Sequence, residues 1–319
     1  MPFSLYGPKL GIEIGQRALR AAAVRKGAGG WRAEWLGKAE MPAGLLIDSF
    51  TEPNITDRDA FVGLLRGLVS DAGNGKRGMS VALPDYLARV SILEFETLPG
   101  KKGETEQMLR WRLKKVLPFD VEQATLRHQY LGRYESGESQ RHRFLVSIIK
   151  TDILSQYEGA LNEAGLRPAR MDISSFSVWN LFHDHVIREA GESSGFALMN
   201  LSGGKLTVVV FDRGVPHFLR LKDLGKRDDG GDVRDLDVMR VLRELNASLT
   251  YYKENYAETP VTRVYISGDA GALEEIAAEV RGSSSIEARV LSMDAVVKSP
   301  DGKAPPLAYG AACGAAVEL

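Results

Sequence analysis

The chain has a single cysteine among its 319 residues, which excludes a disulfide framework and a cysteine-rich metal site. That residue, Cys313, lies in the run YGAACGAA and reads as a small buried thiol in a packed helix. Net charge is also lacking: 41 basic against 42 acidic side chains leave −1, which argues against bulk binding of nucleic acid. Histidine is sparse and scattered, at His128, His142, His183, His185 and His217. His183 and His185 stand two apart on a predicted helix and do not share a face, so no metal site is expected there. No nucleophile elbow and no Ser-His-Asp arrangement stands out. No apolar run approaches the roughly 18 residues that span a bilayer. The opening MPFSLYGPKLGIEIG lacks the basic start and long apolar stretch of a secretory signal. The expectation is a soluble, cytoplasmic chain that reaches a membrane only through a partner.

What is present is ordinary globular composition, 44% hydrophobic and 26% charged, at a length that can hold two domains. The chain also begins twice. Leu10–Gly37 reads LGIEIGQRALRAAAVRKGAGGWRAEWLG, and Ala197–Gly225 reads ALMNLSGGKLTVVVFDRGVPHFLRLKDLG. Each is an apolar run, a glycine bend, a β-rich run, a second glycine turn and a third run, the pattern of three strands joined by two turns. Two related halves facing each other would put one glycine bend on each wall of a cleft. Glycine there lets backbone N–H groups approach an anion with no Cβ in the way.

In the first half, strands are predicted at Leu10–Ile14, Ala18–Arg25, Trp31–Lys38 and Met79–Leu83. A helix is predicted over Asp57–Ala72, with Thr56 as N-cap and Gly73 as stop. A block of different character follows: strand Ala88–Glu96, helix Glu104–Leu117, paired strands Leu126–Tyr134 and Arg143–Ile149, and helix Asp152–Ala164. This β-α-β-β-α order suits an insertion into a larger domain. Strand Arg170–Ile173 and helix Ser174–Arg188 then resume the first half. The second half predicts strands Ala197–Leu201, Leu206–Asp212 and His217–Lys222, a polar segment Gly225–Asp235, and a long helix from Leu236 to Tyr256. Strand Arg263–Ile266, helix Ala270–Arg281, strand Ile286–Leu291 and a small-residue helix Ala304–Val317 close the chain.

The bend Gly15-Gln16-Arg17 can place N–H groups and a cation on a phosphate, or it can be a tight hairpin with an exposed arginine. Ser202-Gly203-Gly204-Lys205 offers the same choice, with Lys205 as a point charge or a solvated turn residue. Glu13 and Asn200 end the first strand of each half. A carboxylate at Glu13 suits Mg²⁺, whereas neutral Asn200 is a poorer partner and weakens the case for hydrolysis. The turn SGDAGAL, Ser267–Leu273, opens a helix; its N–H groups can line a nucleotide, but Asp269 as N-cap is favoured. Arg110, Arg112, Lys114 and Lys115 cluster on one helix and read as a solvated face, with an anionic membrane surface as the rarer use. Trp111, Leu117, Pro118 and Phe119 read as core of the inserted block, or as the floor of a groove for an apolar peptide.

The two glycine bends, SGDAGAL and the small-residue terminal helix together resemble the actin-like ATPase superfamily. MLRWRLKKVLPFDVEQATLRHQYLG (Met108–Gly132), ARMDISSFSVWNLF (Ala169–Phe182) and LRELNASLTYYKENY (Leu242–Tyr256) resemble, in that order, the PilM family of type IV pilus assembly. The resemblance implies an α/β, ribonuclease H-like fold of two lobes with FtsA-like architecture. The first lobe would span 1–87 and 169–194, the inserted subdomain 88–168, and a reduced second lobe 195–319. It implies ATP with Mg²⁺ between the lobes, touching Glu13, Gly15, Gln16, Arg17, Asn200, Gly203, Gly204, Lys205, Gly268 and Asp269. It also implies that a first-lobe groove holds the short cytoplasmic tail of PilN, a single-span inner-membrane protein; Leu93, Leu98 and Phe119 are the candidates for that groove. GspL of type II secretion is a related pattern, but it continues into a membrane span that is not seen here. Several positions depart from the family. Glu13 stands where Asp is usual, Gln16 and Arg17 where small hydroxyl residues are usual, and Ser202 and Asp269 where Gly is common. Only Gly225–Asp235 occupies the place of a subdomain that clamps adenosine. The expectation is therefore a scaffold that binds ATP weakly or not at all, rather than an ATPase or a small-molecule kinase.

Overall fold

The computed structural model describes residues 9–27, 30–72, 77–99, 103–136, 139–191, 195–225, 237–256, 259–299 and 301–317. The first half comprises β1 (Lys9–Ile14), β2 (Ala18–Gly27), β3 (Gly30–Glu40), α1 (Arg58–Leu68) and β4 (Arg77–Leu83). Then come β5 (Arg89–Phe95), α2 (Glu104–Leu113), β6 (Ala124–Ser136), β7 (Ser139–Lys150), α3 (Thr151–Glu163), β8 (Arg167–Ile173) and α4 (Ser174–Ala190). The second half comprises β9 (Gly195–Ser202), β10 (Lys205–Asp212), β11 (Val215–Asp223), α5 (Val238–Tyr256), β12 (Val261–Gly268) and α6 (Leu273–Ser283). It ends with β13 (Glu287–Val290), β14 (Val297–Lys298) and α7 (Gly310–Ala316).

The duplication read from the sequence is explicit in the strand order. One sheet runs β14-β3-β2-β1-β4-β8 and the other β11-β10-β9-β12-β13. In both, the first three strands form an antiparallel meander. The next two add in parallel beside the first strand. The helices α4 and α7 lie between the sheets. On β9, Ala197, Met199 and Leu201 face a core shared with α5 and α6, while Phe196 and Leu198 face α4 and α7. This period-2 alternation gives β9 two buried faces, hence its continuous apolar run. The small residues of α7 allow a close approach to β1 and α4: a Cβ on Gly11 would lie 2.0 Å from the Ala312 carbonyl oxygen. Cys313 is fully buried there, and burial pushes its thiol up to about 12.

The third sheet, β5-β7-β6, is the inserted layer, with α2 packed on one face through Leu109 and Leu113. The sequence reading assigned α3 to this insert; instead its stripe Ile153, Tyr157, Ala160 and Leu161 packs into the first-lobe core beside α1. Phe61 meets Tyr157 edge-on at 6.2 Å, and the apolar stripe follows the larger core on offer. The insert also touches the second lobe. Arg143 Nη1 on β7 donates to the His217 ring of β11 at 2.6 Å from Nε2, and Arg143 pairs with Glu94 at 3.0 Å. Burial and the adjacent guanidinium lower the His217 pKa to about 4, so the ring is neutral and accepts.

Several predicted boundaries shift. Asp57, not Thr56, caps α1 through its carboxylate on the Ala60 N–H, while the Thr56 hydroxyl donates to the Gly44 carbonyl. Helix α2 ends at Leu113 rather than Leu117, tightening into a turn in which the Val116 N–H meets the Leu113 carbonyl at 2.9 Å. Pro118 disfavours helical backbone at the residue before it. Trp111, read as core or as the floor of a groove, is 66% exposed, which overturns the core reading. The terminal helix starts at Gly310 rather than Ala304, after Pro305, Pro306 and one 3₁₀ turn over Leu307–Tyr309. Gly73 and the predicted polar segment from 226 onward lie outside the described residues. Among the described residues no helix is long and apolar enough to cross a membrane.

Candidate functional sites: a closed cleft and an open groove

The two glycine bends do face each other. Gly203 adopts φ +59°, and a Cβ there would lie 3.2 Å from Gln16 Cβ and Cγ. In the first bend the Gly15 donor serves the protein itself. The Gly15 N–H bonds the Ala18 carbonyl at 3.1 Å, and a Cβ on Gly15 would sit 2.8 Å from that oxygen. Gln16 Nε2 donates to the Tyr86 hydroxyl at 2.7 Å and to Asp48. From the second lobe, Lys205 reaches Asp48 at 2.7 Å and Asp223 at 2.9 Å, with its ammonium 5.4 Å from the Tyr86 ring centroid. What remains between Gly15, Gln16, Gly203 and Lys205 is a cavity of about 20 Å³, enough for about one water molecule.

The cleft floor is a second bridge. Asp85, just past β4, accepts from the Ser175 N–H at 2.9 Å, from the Ser175 hydroxyl, and from the Thr207 hydroxyl of β10 at 2.6 Å. Asn200 donates to Ser175 Oγ at 3.0 Å. Burial raises the Asp85 pKa, against the hydrogen bonds from Ser175 and Thr207. A third bridge starts from strand register: Glu13 and Arg20 are directly opposed on β1 and β2, so their side chains share a face. Arg20 pairs with Glu13 at 3.5 Å and with Asp269 of the second lobe at 3.4 Å. Asp269 therefore does not cap α6 as the sequence suggested; its carboxylate is held by Arg20, and the helix starts after Ala272 with no side-chain cap. Gly268, at φ +143°, lies too close for a side chain, since a Cβ would meet the Leu201 carbonyl oxygen at 2.0 Å. Of the other predicted residues, Arg17 and Gly204 do not line the cavity; the Arg17 carbonyl accepts from Met41 and the Gly204 carbonyl from Leu224. Asp85, Tyr86 and Asp48 were not singled out, although an acid directly after the strand in LPDY sits where α/β sheets gather their ligands.

Burial raises the Glu13 carboxyl to about 7, with Asp269 and Asp85 adding to the effect and Arg20 opposing it. The native state then holds a proton that the unfolded chain releases near 4.5, so stability falls as pH rises from 4.5 through about 7. The expected loss is up to about 3 kcal/mol. Urea denaturation of the parent and of Glu13→Gln across this range checks it: the variant's curve should be flatter.

A larger space lies between the insert and the first lobe. The face of the inserted sheet away from α2 presents Thr125 and Arg127 of β6 and Ser147 and Ile149 of β7, alternating with Leu126, Val146 and Ile148, which pack toward α2. Opposite stand Pro168–Ile173 of β8 and Leu154 and Glu158 of α3, enclosing about 500 Å³. β8 ends its sheet, so its outer edge has no strand partner among the described residues. A second space of about 510 Å³ shares Arg170 and Asp172 and continues to Trp179, Phe176 and the β10–β11 turn. None of Leu93, Leu98 and Phe119 lines either space. Leu93 packs partly into the α2 core, Phe119 sits against Phe50 at 5.3 Å, and Leu98 is exposed beyond β5.

Two lobes of shared strand order, clasped across facing glycine bends and carrying an extra sheet on the first, define an actin-like protein. The chain belongs to the family described as type IV pilus assembly protein PilM, which matches residues 11–230. Among solved structures it is similar to the PilM-PilN type IV pilus biogenesis complex, with TM-score 0.79 and 20% identity over 97% of each chain. It is also similar to the cytoplasmic domain of EpsL, an inner membrane component of the type II secretion system of Vibrio cholerae. That match has TM-score 0.51 and 12% identity over 97% of this chain and 95% of the other. A Bacteroides thetaiotaomicron protein with actin-like ATPase fold and unknown function gives TM-score 0.53 and 9% identity, covering 89% and 91%. No curated protein matches the chain. At these identities the shared property is the fold.

Proposed function

We propose that this chain is a cytoplasmic adaptor of a type IV pilus or related secretion platform. It holds the N-terminal tail of a PilN-like, single-span inner-membrane protein and reaches the membrane side through that partner. The observation that carries the reading is the first-lobe groove beside the open edge of β8. An extended peptide can add to such an edge through main-chain hydrogen bonds, with side chains read alternately by the groove walls. The groove's 500 Å³ is in the range of ligand sites, and its floor mixes apolar Ile149 and Met171 with charged Arg127, Glu158 and Asp172. Fluorescence polarisation with a labelled synthetic tail of the partner tests it. Ser147→Arg and Thr125→Arg are expected to weaken binding at least tenfold, and Leu98→Ser to leave it unchanged. No binding of the parent at high micromolar tail would end this reading.

The interlobe cleft is, on this reading, a nucleotide site filled by its own side chains. The superfamily would place ATP with Mg²⁺ there, and the residues present do not fit it. The cavity holds about one water. The Gly15 N–H is spent on the hairpin, and Glu13 and Asp85 are already held by Arg20, Ser175 and Thr207. Titration calorimetry with ATP and Mg²⁺ is expected to be silent. Saturable heat would favour a nucleotide switch, with Gln16 and Lys205 swinging out of the cleft.

A further inference from the structure

The insert carries its own surface feature on the side of its sheet away from the groove. Trp111 is 66% exposed and Val116 48% exposed, at the C-terminal end of α2. Around them Arg112, Lys114 and Lys115 are all exposed, and Arg89 reaches over from β5 to the Val116 carbonyl at 2.9 Å. The Lys115 ammonium lies 5.8 Å from the Trp111 ring centroid. From Gln107 to Leu117 the chain has four cations and no acid, in a protein whose net charge is −1. Of the four, Arg110 is tied down by Glu106 at 2.9 Å and by the Val121 carbonyl, while among the described residues Arg112, Lys114 and Lys115 pair with no acid. Asp120, the next acid along, caps the following turn through the Glu122 N–H.

We infer that the end of α2 is a membrane-contact face that binds an anionic lipid surface. An exposed indole ringed by cations suits the headgroup region, where the ring sits at the interface and lysine stems reach phosphates. Past Glu104 and Glu106 in the first turn of α2, no acid among the described residues pairs with Arg112, Lys114 or Lys115, so the complement they call for is a negative plane. The feature is separate from the groove: α2 lies on one face of the inserted sheet, and Thr125, Arg127, Ser147 and Ile149 line the groove on the other.

Co-sedimentation of the purified chain, with no tail peptide present, tests the inference. The parent is expected to pellet with vesicles of mixed phosphatidylglycerol and phosphatidylcholine at low salt, and to stay in the supernatant with phosphatidylcholine alone or at high salt. Each lysine near the surface is worth about fivefold, so the double variant Lys114→Ser/Lys115→Ser should weaken partitioning about 25-fold. Trp111→Ser should weaken it about tenfold through the lost indole. These side chains are exposed, and unchanged denaturation midpoints confirm that the variants fold. Ser147→Arg, in the groove, should pellet like the parent, which keeps this result independent of tail binding. A parent that stays in solution with anionic vesicles, variants that pellet equally, or Trp111-dependent self-association without pelleting would each overturn the inference.

Discussion

Arg20→Met is expected to destabilise the protein by about 3–5 kcal/mol at about pH 8, above the Glu13 pKa of about 7, measured by urea denaturation. Arg20 pairs with two carboxylates of the cleft, buried Glu13 at 3.5 Å and half-buried Asp269 at 3.4 Å. Methionine keeps much of the volume and removes the charge. Glu13, 4% exposed, would then carry an uncompensated charge in a low-dielectric site, or take up a proton to avoid it. The penalty should therefore shrink at acid pH, where the Glu13 carboxyl is neutral, and be largest at about pH 8. Adding Glu13→Gln to Arg20→Met should recover part of the loss, because the partner charge goes too. A penalty independent of pH would mean that Arg20 acts by packing alone. Since Asp269 belongs to the second lobe and Glu13 to the first, the variant also loosens the clasp that closes the cleft. Restored ATP binding in Arg20→Met would connect that clasp with the silence expected of the parent.

Gly314→Val is expected to cost about 3 kcal/mol or more, and to lower the soluble yield. A Cβ at Gly314 would lie 1.8 Å from the Ser177 carbonyl oxygen of α4, which is backbone and cannot rotate away. The far side of α7 is equally tight, with Gly11 of β1 against the Ala312 carbonyl. The helix cannot slide from one neighbour without striking the other. Gly67→Ala is the matched control. Gly67 is helical in α1 with open space around it, so alanine should stabilise by about 0.5–1 kcal/mol. Two glycine substitutions of opposite sign in one protein would separate close packing from helix propensity.

Much of the architecture was legible because its signals are local and repeated. Period-2 apolar runs located the strands, and the doubled strand-turn-strand-turn-strand pattern anticipated two sheets of matching order. The α5 stripe through Val241, Leu245, Leu249 and Tyr252 needed only a spacing of three and four, and all four residues are buried. Elements whose limits depend on long-range competition were misjudged. Asp269 looked like a helix cap because nothing nearby in sequence competes for its carboxylate; Arg20, 249 residues away, does. Trp111 looked like core because size and apolarity favour burial, yet α2 turns Leu109 and Leu113 to the sheet instead. Leu93, Leu98 and Phe119, the candidates offered for a partner groove, do not line the space beside β8, which is built from the opposite face of the inserted sheet.

By itself, the sequence determined the class of protein: a duplicated α/β chain with facing glycine bends and an inserted sheet, since backbone periodicity and glycine placement are properties of short segments. Only the tertiary structure decided the state of the cleft. Whether Gln16, Lys205, Asp48 and Arg20 point at a ligand or at one another depends on how two lobes close, and that is set by packing between residues far apart in the chain.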